Sequence, residues 1–305
     1  MIKQKLHKEL QSLLKFYLKQ RQNLPDEFGY TAGVIEKPGF FTVKNLQQHL
    51  NNPLLRPEWI HVKTDGDRVE LEKSFFYKTV QGRKLYFIDK EVLGNEINKG
   101  AAIVMEGIDI LDREVNAFVA KLDESLPCVI SNSVVFFSQN DNEAYEGHCD
   151  ADDVLVIHLG GKKVWQLFKP QQRRYAGIQA QNDAQLGPVM HEVTMRPGDA
   201  LYLRAGVPHR CITPGPYSLH MSFDLCDNTP STVDIANEAT NQYNHASELP
   251  YQPAARIVDR YVSILESDEF QSALVEATHI KRNDILKFRQ SIARASGLRS
   301  LNKFI

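Results

Sequence analysis

The chain has 305 residues, of which 42% are hydrophobic and 24% are charged, an ordinary composition for a globular protein. Its 36 Lys and Arg residues against 38 Asp and Glu residues give a net charge of −2. No overall positive field therefore draws the chain to nucleic acid or to an anionic membrane, although a local basic patch is compatible with this balance. The length allows about two domains, or one large catalytic domain with an appendage.

The first part of the chain predicts an amphipathic helix followed by short mixed elements. Between about residues 1 and 22, apolar residues recur at helical spacing among Lys and Gln residues. From about 40 to 127 the pattern predicts short helices, such as Val43–Asn51 and Ile110–Leu122, and short strands, such as Ala101–Met105. No apolar run has the length of a signal peptide or a membrane span, so we expect a cytoplasmic protein without a membrane partner.

Between about residues 128 and 226 the sequence predicts a β-rich region. Runs of β-branched and aromatic residues of strand length alternate with turns, and no helix is long enough for a parallel crossover. An antiparallel sandwich or barrel is expected, and a doubly wound nucleotide-binding fold is disfavoured. After Asn228 the helical pattern returns, and the candidate helices are Val233–Tyr243, Ala254–Leu265, Phe270–Glu276 and Arg282–Arg294.

Three side chains of the β-rich region have the chemistry of a metal site. Residues i and i+2 of an extended chain point to the same face, so His148 and Asp150 can both aim into a barrel. His209, which follows a Pro-Gly turn, an apolar strand and a Gly-Val-Pro corner, is the candidate for a second imidazole. Two histidines and one carboxylate form the ligand set of non-haem Fe(II) oxygenases, with open positions for substrates. A chance His-x-Asp pair is unremarkable among ten histidines, so the prediction depends on the barrel-like context and on His209.

The segment around these residues resembles a known family. From His148 it reads His-Cys-Asp-Ala-Asp-Asp-Val-Leu-Val-Ile-His-Leu-Gly-Gly-Lys-Lys-Val-Trp-Gln-Leu-Phe, and a later Pro-Gly-Asp-Ala-Leu-Tyr run leads to His209. Over roughly residues 100–225 the chain resembles the JmjC-type cupin family of Fe(II)- and 2-oxoglutarate-dependent oxygenases, and within it the ribosomal oxygenases. The resemblance implies an α+β, mainly β fold, in which a double-stranded β-helix (jelly-roll or cupin) core has an N-terminal helix and a C-terminal helical region.

The resemblance also implies roles for individual residues. His148, Asp150 and His209 would bind Fe(II), and Lys163 would pair with the distal carboxylate of 2-oxoglutarate. Lys163 shares a strand face with two large apolar residues, which favours an inward side chain over a surface lysine. His158 stands where the ribosomal oxygenases usually carry glutamine.

Further co-substrate contacts match the family less closely. Ser218 and His220 lie on a strand that resembles the family's S-x-H-x-S/T run, and they would contact the co-substrate, orient ligands or serve as polar groups of the core. The family's asparagine and its co-substrate tyrosine fall on Val134 and Phe136. Asn132, two residues earlier on the same strand face, would replace them only if the strand is shifted.

The implied reaction is oxidative decarboxylation of 2-oxoglutarate by O2, to succinate and CO2, coupled to hydroxylation of an amino-acid side chain in a protein or peptide. Three alternatives stay open. The same chemistry could act on a free amino acid, a natural product or a tRNA base. The chain could instead be a non-catalytic cupin that binds a metal and a small acid, or a scaffold for its C-terminal helices as an interaction module.

We divide the chain into a JmjC/cupin catalytic domain with N-terminal helical elements, residues 1–227, and a C-terminal helical region, residues 228–305. In the ribosomal oxygenases the barrel is followed by dimerising helices and a winged-helix domain, and the region after Asn228 has the length for the helices and little else. The resemblance implies a homodimer through these helices, whereas nucleic acid is disfavoured as a partner. The shorter tail weakens the case for a ribosomal protein as the substrate.

Overall fold

The structure is a computed structural model, and it describes most of the chain. The described residues are 2–22, 28–64, 67–68, 75–140, 142, 145–150, 152–169, 179–180, 186–226, 235, 239–240, 242, 254–273, 287 and 289. The chain divides into two compact units, the first made of residues 1–126 and 130–226 and the second of residues 127–129 and 227–305.

The strands and helices of the described residues have the following bounds, in chain order. The strands are β1 Phe28–Thr31, β2 Ile60–Thr64, β3 Asp67–Arg68, β4 Phe75–Val80, β5 Arg83–Ile88, β6 Ala102–Met105, β7 Val129–Ser138, β8 His148–Cys149, β9 Asp153–Gly161, β10 Lys163–Phe168, β11 Gln179–Ala180, β12 Val189–Met195, β13 Ala200–Leu203, β14 His209–Ile212 and β15 Ser218–Cys226. The helices are α1 Ile2–Gln22, α2 Val43–Asn51, α3 Lys90–Asn98, α4 Ile108–Leu111, α5 Arg113–Asp123 and α6 Ala254–Leu265, with a 3₁₀ turn at Pro57–Trp59.

Two β-sheets form the centre of the first unit. The larger has eight strands in the order β1-β13-β9-β15-β7-β6-β2-β3, and the smaller has five in the order β11-β8-β14-β10-β12. Within them β9 pairs antiparallel with β13 and β15, and β10 pairs antiparallel with β12 and β14. The expected antiparallel, mainly β core of jelly-roll type is confirmed.

The hydrophobic core lies between the two sheets. Side chains from β9 and β13 of the larger sheet pack with side chains from β10 and β12 of the smaller one. These residues are Val154, Val156, Trp165, Leu167, Met195, Leu201, Leu203 and Val207. Strand β9 is buried from Val154 to Gly160 because it is covered on both faces, which explains why its sequence is a continuous apolar run.

Capping hydrogen bonds fix where the helices that precede the β-rich core begin. In α2, predicted with the same bounds, the Thr42 side chain accepts a hydrogen bond from the Asn45 backbone N–H in a capping box. The single helix predicted over Ile110–Leu122 is instead two helices that meet at Asp112. Asp112 has an extended backbone, and its carboxylate accepts hydrogen bonds from the first-turn backbone N–H groups of α5, so a new helix begins there.

Strands β4 and β5 form a two-stranded sheet apart from the two central sheets. Residues Gln81 and Gly82 join them with positive φ angles of 49° and 77°. Two residues in this conformation make the tight turn that matches the twist of a β-hairpin. We refer to residues 75–88 as the β4–β5 arm.

In the second unit, α6 has the bounds predicted from the sequence. Near it, Ala239 and Phe270 are buried with the partly buried Ile235, Tyr261 and Ile264 around them. The predicted helices over 233–243, 270–276 and 282–294 lie largely outside the described residues. None of the described helices combines the length and the hydrophobicity needed to cross a membrane.

Candidate active site

Three predicted ligands meet at one point of the first unit. His148 lies on β8, Asp150 follows that strand, and His209 begins β14, directly opposite His148 in the sheet register. His148 Nε2 is 3.6 Å from Asp150 Oδ1, and His209 Nε2 is 3.6 Å from Asp150 Oδ2. One potential ligand atom from each residue lies within 4.8 Å of the others, a spacing that a single metal ion can bridge.

In each histidine, a hydrogen bond at Nδ1 leaves Nε2 facing the point where the three ligands meet. His148 Nδ1 is 2.8 Å from the backbone oxygen of Glu146, and His209 Nδ1 is 3.0 Å from the backbone oxygen of Val207. Because a carbonyl oxygen only accepts, Nδ1 carries the proton in both rings, and each Nε2 keeps a lone pair for a ligand. The donor set thus fits a divalent transition metal.

Burial keeps the His148 imidazole in the neutral form that a metal requires. Burial first, and then the nearby His209, lowers the pKa of His148, while Asp150 acts in the opposite direction, and the net pKa is about 4. His148 is therefore neutral near pH 7, and a neutral imidazole is the form that binds a metal.

The ligands lie on the wall of a cavity of about 230 Å³ between the two sheets. Its lining includes the aromatic rings of Phe136, Tyr145 and Trp165, and also Lys163. A site of this kind, apolar with a few polar groups converging on it, is typical of small-molecule binding.

Lys163 is the buried cation of this cavity. Its side chain is 1% exposed, so the inward orientation predicted from the strand pattern is observed. Its Nζ donates hydrogen bonds to Ser138 Oγ at 2.8 Å and to Thr213 Oγ1 at 2.9 Å. These two hydroxyl groups orient the ammonium, and an ammonium forms charge-assisted hydrogen bonds with carboxylates.

His220 also lies on the wall of the cavity. Its ring stacks on Phe136 with centroids 4.7 Å apart and an interplanar angle of 5°. Burial first, and then the positive charge of Lys163, holds the pKa of His220 well below its usual range, so the ring is neutral. Within the described residues its buried Nδ1 has no hydrogen-bond partner.

Two other residues predicted to contact the co-substrate are placed differently. Ser218 is buried but is not among the side chains that line the cavity. Asn132 lines it, yet its Nδ2 donates to Glu106 Oε2 at 2.8 Å and its Oδ1 accepts from the Gly107 backbone N–H at 3.2 Å. Val134 and Phe136 face the same cavity.

Acidic groups surround the remaining wall of the cavity. Glu106, Asp152 and Asp224 line it in addition to Asp150. Burial first, and then the charges of Asp150, Glu106 and Asp152, raises the pKa of Asp224 to about 7. Among the described residues near this wall, Lys63 Nζ lies 3.6 Å from the centroid of the Tyr145 ring, and His61 Nε2 lies 3.8 Å from Glu106 Oε1.

Sequence reasoning missed the hydroxyl groups that hold Lys163 and the acidic lining. The signal for the hydroxyls was present, because Ser138 follows Phe136 by two residues on β7 and Thr213 follows His209 by four. Alternation along an extended chain places each on the inward face. No local pattern indicated the acidic lining, whose members come from separate segments.

Comparison with known proteins agrees with this geometry. The JmjC domain family matches residues 112–233, a span that contains both predicted histidine ligands, Asp150 and Lys163. The chain contains a JmjC domain. The family resemblance inferred from the motifs is thereby confirmed.

Curated relatives match parts of the chain. Ribosomal oxygenase 2 of Mus musculus is 26% identical over 113 residues, which are 35% of this chain and 24% of the relative. The bifunctional lysine-specific demethylase and histidyl-hydroxylase NO66 of Culex quinquefasciatus is 30% identical over 110 residues, 34% of this chain and 17% of that protein. NO66 of Dictyostelium discoideum is 21% identical over 248 residues, 75% of this chain and 45% of the relative. The chain thus spans less than half the length of each of these proteins.

Solved structures share the fold of the JmjC domain. Escherichia coli ycfD superposes with a TM-score of 0.55 and 11% identity, covering 83% of this chain and 68% of that one. A structure of the same ribosomal oxygenase in complex with cobalt and succinic acid has a TM-score of 0.50 at the same identity and coverage. At this identity the likeness establishes the fold alone.

Proposed function

We propose that this chain is an Fe(II)- and 2-oxoglutarate-dependent hydroxylase that acts on an amino-acid side chain in a protein or peptide. One observation carries the proposal. Two Nε2 atoms and a carboxylate converge on the wall of a cavity that also presents the buried ammonium of Lys163. A 2-oxo acid needs both features, a metal for its oxo-acid end and a cation for its distal carboxylate.

Each residue has a separate task in this proposal. His148, Asp150 and His209 would hold Fe(II), which together with 2-oxoglutarate and O2 supplies the oxidising chemistry that hydroxylates a C–H bond. Lys163 would anchor the distal carboxylate, oriented by Ser138 and Thr213. The aromatic walls provide apolar surroundings, which would strengthen the interaction between Lys163 and the anion.

The family comparison supports the same reaction. The relatives are named as ribosomal oxygenases and as a lysine-specific demethylase and histidyl-hydroxylase, and the Escherichia coli structure contains cobalt and succinic acid. Succinate is the product expected from 2-oxoglutarate. These properties belong to those proteins, and they favour a protein side chain as the substrate of this one.

The acidic lining favours a positively charged substrate side chain. With Fe(II) and the 2-oxoglutarate dianion bound, their charges cancel, and the charges of Lys163 and Asp150 cancel as well. Glu106, Asp152 and Asp224 then remain on the cavity wall. A guanidinium or ammonium group would form charge-assisted hydrogen bonds with them, which a neutral side chain would not.

We further propose that the protein is a homodimer. Val258, Val262 and Leu265 are exposed and lie at i, i+4 and i+7 on α6, so they form one apolar stripe. A stripe of this kind on a helix of the second unit suits a two-fold interface. The cytoplasmic location stays a prediction from the sequence.

The test of the function is succinate release. Protein purified without oxygen is mixed with Fe(II), 2-oxoglutarate and candidate Arg-, Lys- and His-containing peptides, and is then exposed to air. We expect succinate and one added oxygen per hydroxylated peptide, and both should disappear in His148→Ala. The control is His191→Ala, at a histidine that packs against Phe28 and is not among the side chains lining the cavity.

The other results are equally informative. Binding of 2-oxoglutarate without succinate release from any peptide would favour a non-catalytic cupin, and wild-type turnover in His148→Ala would overturn the ligand assignment. Turnover with a free amino acid but with no peptide would contradict the substrate class while retaining the chemistry.

A further inference from the structure

The β4–β5 arm exposes aromatic side chains to solvent. Phe76, Tyr77 and Tyr86 are 63%, 58% and 42% exposed. An isolated two-stranded hairpin is at best marginally stable in water, and clustered exposed apolar groups are typical of binding surfaces. The arm is therefore a candidate contact site for a partner.

The strand register sorts the arm into two faces. On one face Tyr77 lies opposite Tyr86 with ring centroids 6.3 Å apart, and Lys84 Nζ lies 4.5 Å from the Tyr77 centroid. On the other face Phe76 lies opposite Phe87, and Arg83 lies opposite an exposed Val80 near the turn. Each face thus combines a pair of aromatic rings with at least one cation.

The arm is also a local concentration of positive charge. Residues 75–88 contain Lys78, Arg83 and Lys84 and no Asp or Glu, although the whole chain has a net charge of −2. All three cations are exposed, and no carboxylate of the described residues forms an ion pair with them.

We propose that the β4–β5 arm binds single-stranded RNA. Every base has a flat π face that stacks on exposed Tyr or Phe rings, and Lys and Arg neutralise the backbone phosphates without reading sequence. In a duplex the base faces are already covered, so the ring pairs on the arm favour unpaired bases. An acidic peptide would satisfy the cations but would leave the tyrosine face without a stacking partner.

We choose RNA because the sequence predicts a cytoplasmic protein, and RNA is the single-stranded nucleic acid expected there. The sequence disfavours nucleic acid as a partner because the net charge of the whole chain is near zero. The arm carries three exposed cations on one hairpin, and a binding site depends on this local charge. The inference does not depend on the proposed hydroxylase activity.

The test is fluorescence anisotropy of a labelled, unstructured RNA with the full chain at several salt concentrations. The logarithm of the association constant should fall with the logarithm of salt concentration with a slope of about −2, since each of three neutralised phosphates contributes about −0.7. In the triple variant Lys78→Ser, Arg83→Ser, Lys84→Ser the slope should approach zero, and affinity at low salt should fall by about tenfold or more. The matched control replaces Lys37, Lys44 and Lys121, which are exposed lysines outside the arm, and should bind as wild type does.

Stacking is tested separately from charge. Tyr77→Ser with Tyr86→Ser should weaken binding about tenfold or more while keeping the salt slope, and Tyr77→Phe with Tyr86→Phe should retain the affinity. Circular dichroism confirms that each variant is folded. The proposal is overturned by absence of RNA binding at low salt, by wild-type affinity in the charge variant, or by equal affinity for a duplex. Preference for an acidic peptide over the RNA would also overturn it.

Discussion

Backbone carbonyl groups two residues before each histidine prepare the candidate metal site. Because Glu146 and Val207 accept hydrogen bonds from Nδ1, the rings of His148 and His209 each have one tautomer and one orientation before any metal arrives. Lys163 is prepared in the same way by two hydroxyl groups. A site whose side chains are already oriented loses little conformational entropy when its ligands bind.

At this scale the first prediction concerns Lys163. Replacing it with Met keeps most of its volume but removes the only charge that faces a distal carboxylate in the proposal. We expect the KM for 2-oxoglutarate to rise by about tenfold or more, because a charge-assisted hydrogen bond is worth about 1.5–3 kcal/mol. Affinity for the metal, measured by titration with Co(II), should change little.

The control is Lys162→Met, at the neighbouring lysine, which is partly exposed and lies outside the cavity lining. It should leave the KM for 2-oxoglutarate at its wild-type value. An equal effect of the two substitutions would contradict the role proposed for Lys163.

A second prediction concerns pH. Burial lowers the pKa of His158 to about 4, so below about pH 6.5 the unfolded chain binds a proton there that the folded chain does not. Stability of the metal-free protein should therefore fall as the pH decreases from 6.5 to 4, by up to about 3 kcal/mol from this residue. His158→Gln, which introduces the residue usual in the related oxygenases, should flatten this dependence.

Urea unfolding at several pH values measures the effect. Comparing slopes against pH removes any constant cost of the substitution. A His158→Gln slope as steep as that of the wild type would mean that other groups cause the loss.

At the scale of elements, the turn between β9 and β10 determines where Lys163 points. Gly161 has a φ of +67°, and a Cβ there would lie 2.0 Å from the backbone oxygen of Tyr217. The same oxygen accepts a hydrogen bond from the Lys162 N–H at 3.1 Å. This close approach places the start of β10 beside the start of β15. A residue with a Cβ does not fit at position 161, so glycine is required there.

Gly161→Ala should therefore destabilise the protein by about 2 kcal/mol or more, because it combines an unfavourable φ with a backbone clash. Chemical denaturation gives the free energy of unfolding. The matched control is Gly94→Ala, in α3, where a Cβ meets nothing within 4 Å. It should leave stability unchanged or raise it by up to about 1 kcal/mol. A cost of Gly161→Ala no larger than that of the control would refute this account of the turn.

At the scale of the whole molecule, the two units have different tasks in our proposals. The first contains the cavity, the candidate ligands and the β4–β5 arm, whereas the second presents the apolar stripe of α6. Assembly can therefore be altered without touching the candidate chemistry.

Light scattering at micromolar concentration should give the mass of a dimer. Val258→Glu with Val262→Glu should give a monomer that still releases succinate, because a charge in an apolar interface has no partner. Ser263→Glu changes an exposed position of α6 outside the stripe and should remain dimeric. A monomeric wild type would remove the proposal of a dimer.

The features that could be predicted from the sequence are those that depend on residues close together in the chain. Alternation along extended chain placed His148, Asp150 and Lys163 inward, and helical periodicity gave the bounds of α2 and α6. These patterns depend only on neighbours in the chain. The division of one predicted helix at Asp112 was missed because the capping geometry of that carboxylate overrode the periodicity.

The amino-acid sequence alone thus specified the β-rich core, the three candidate ligands and the family. It could not reveal that Lys163 lies between Ser138 and Thr213, 25 and 50 residues away, because such contacts depend on the register between strands distant in the chain. Nor could it show that the acidic side chains share one cavity. Net charge adds over the chain, whereas binding depends on where folding places each charge in space.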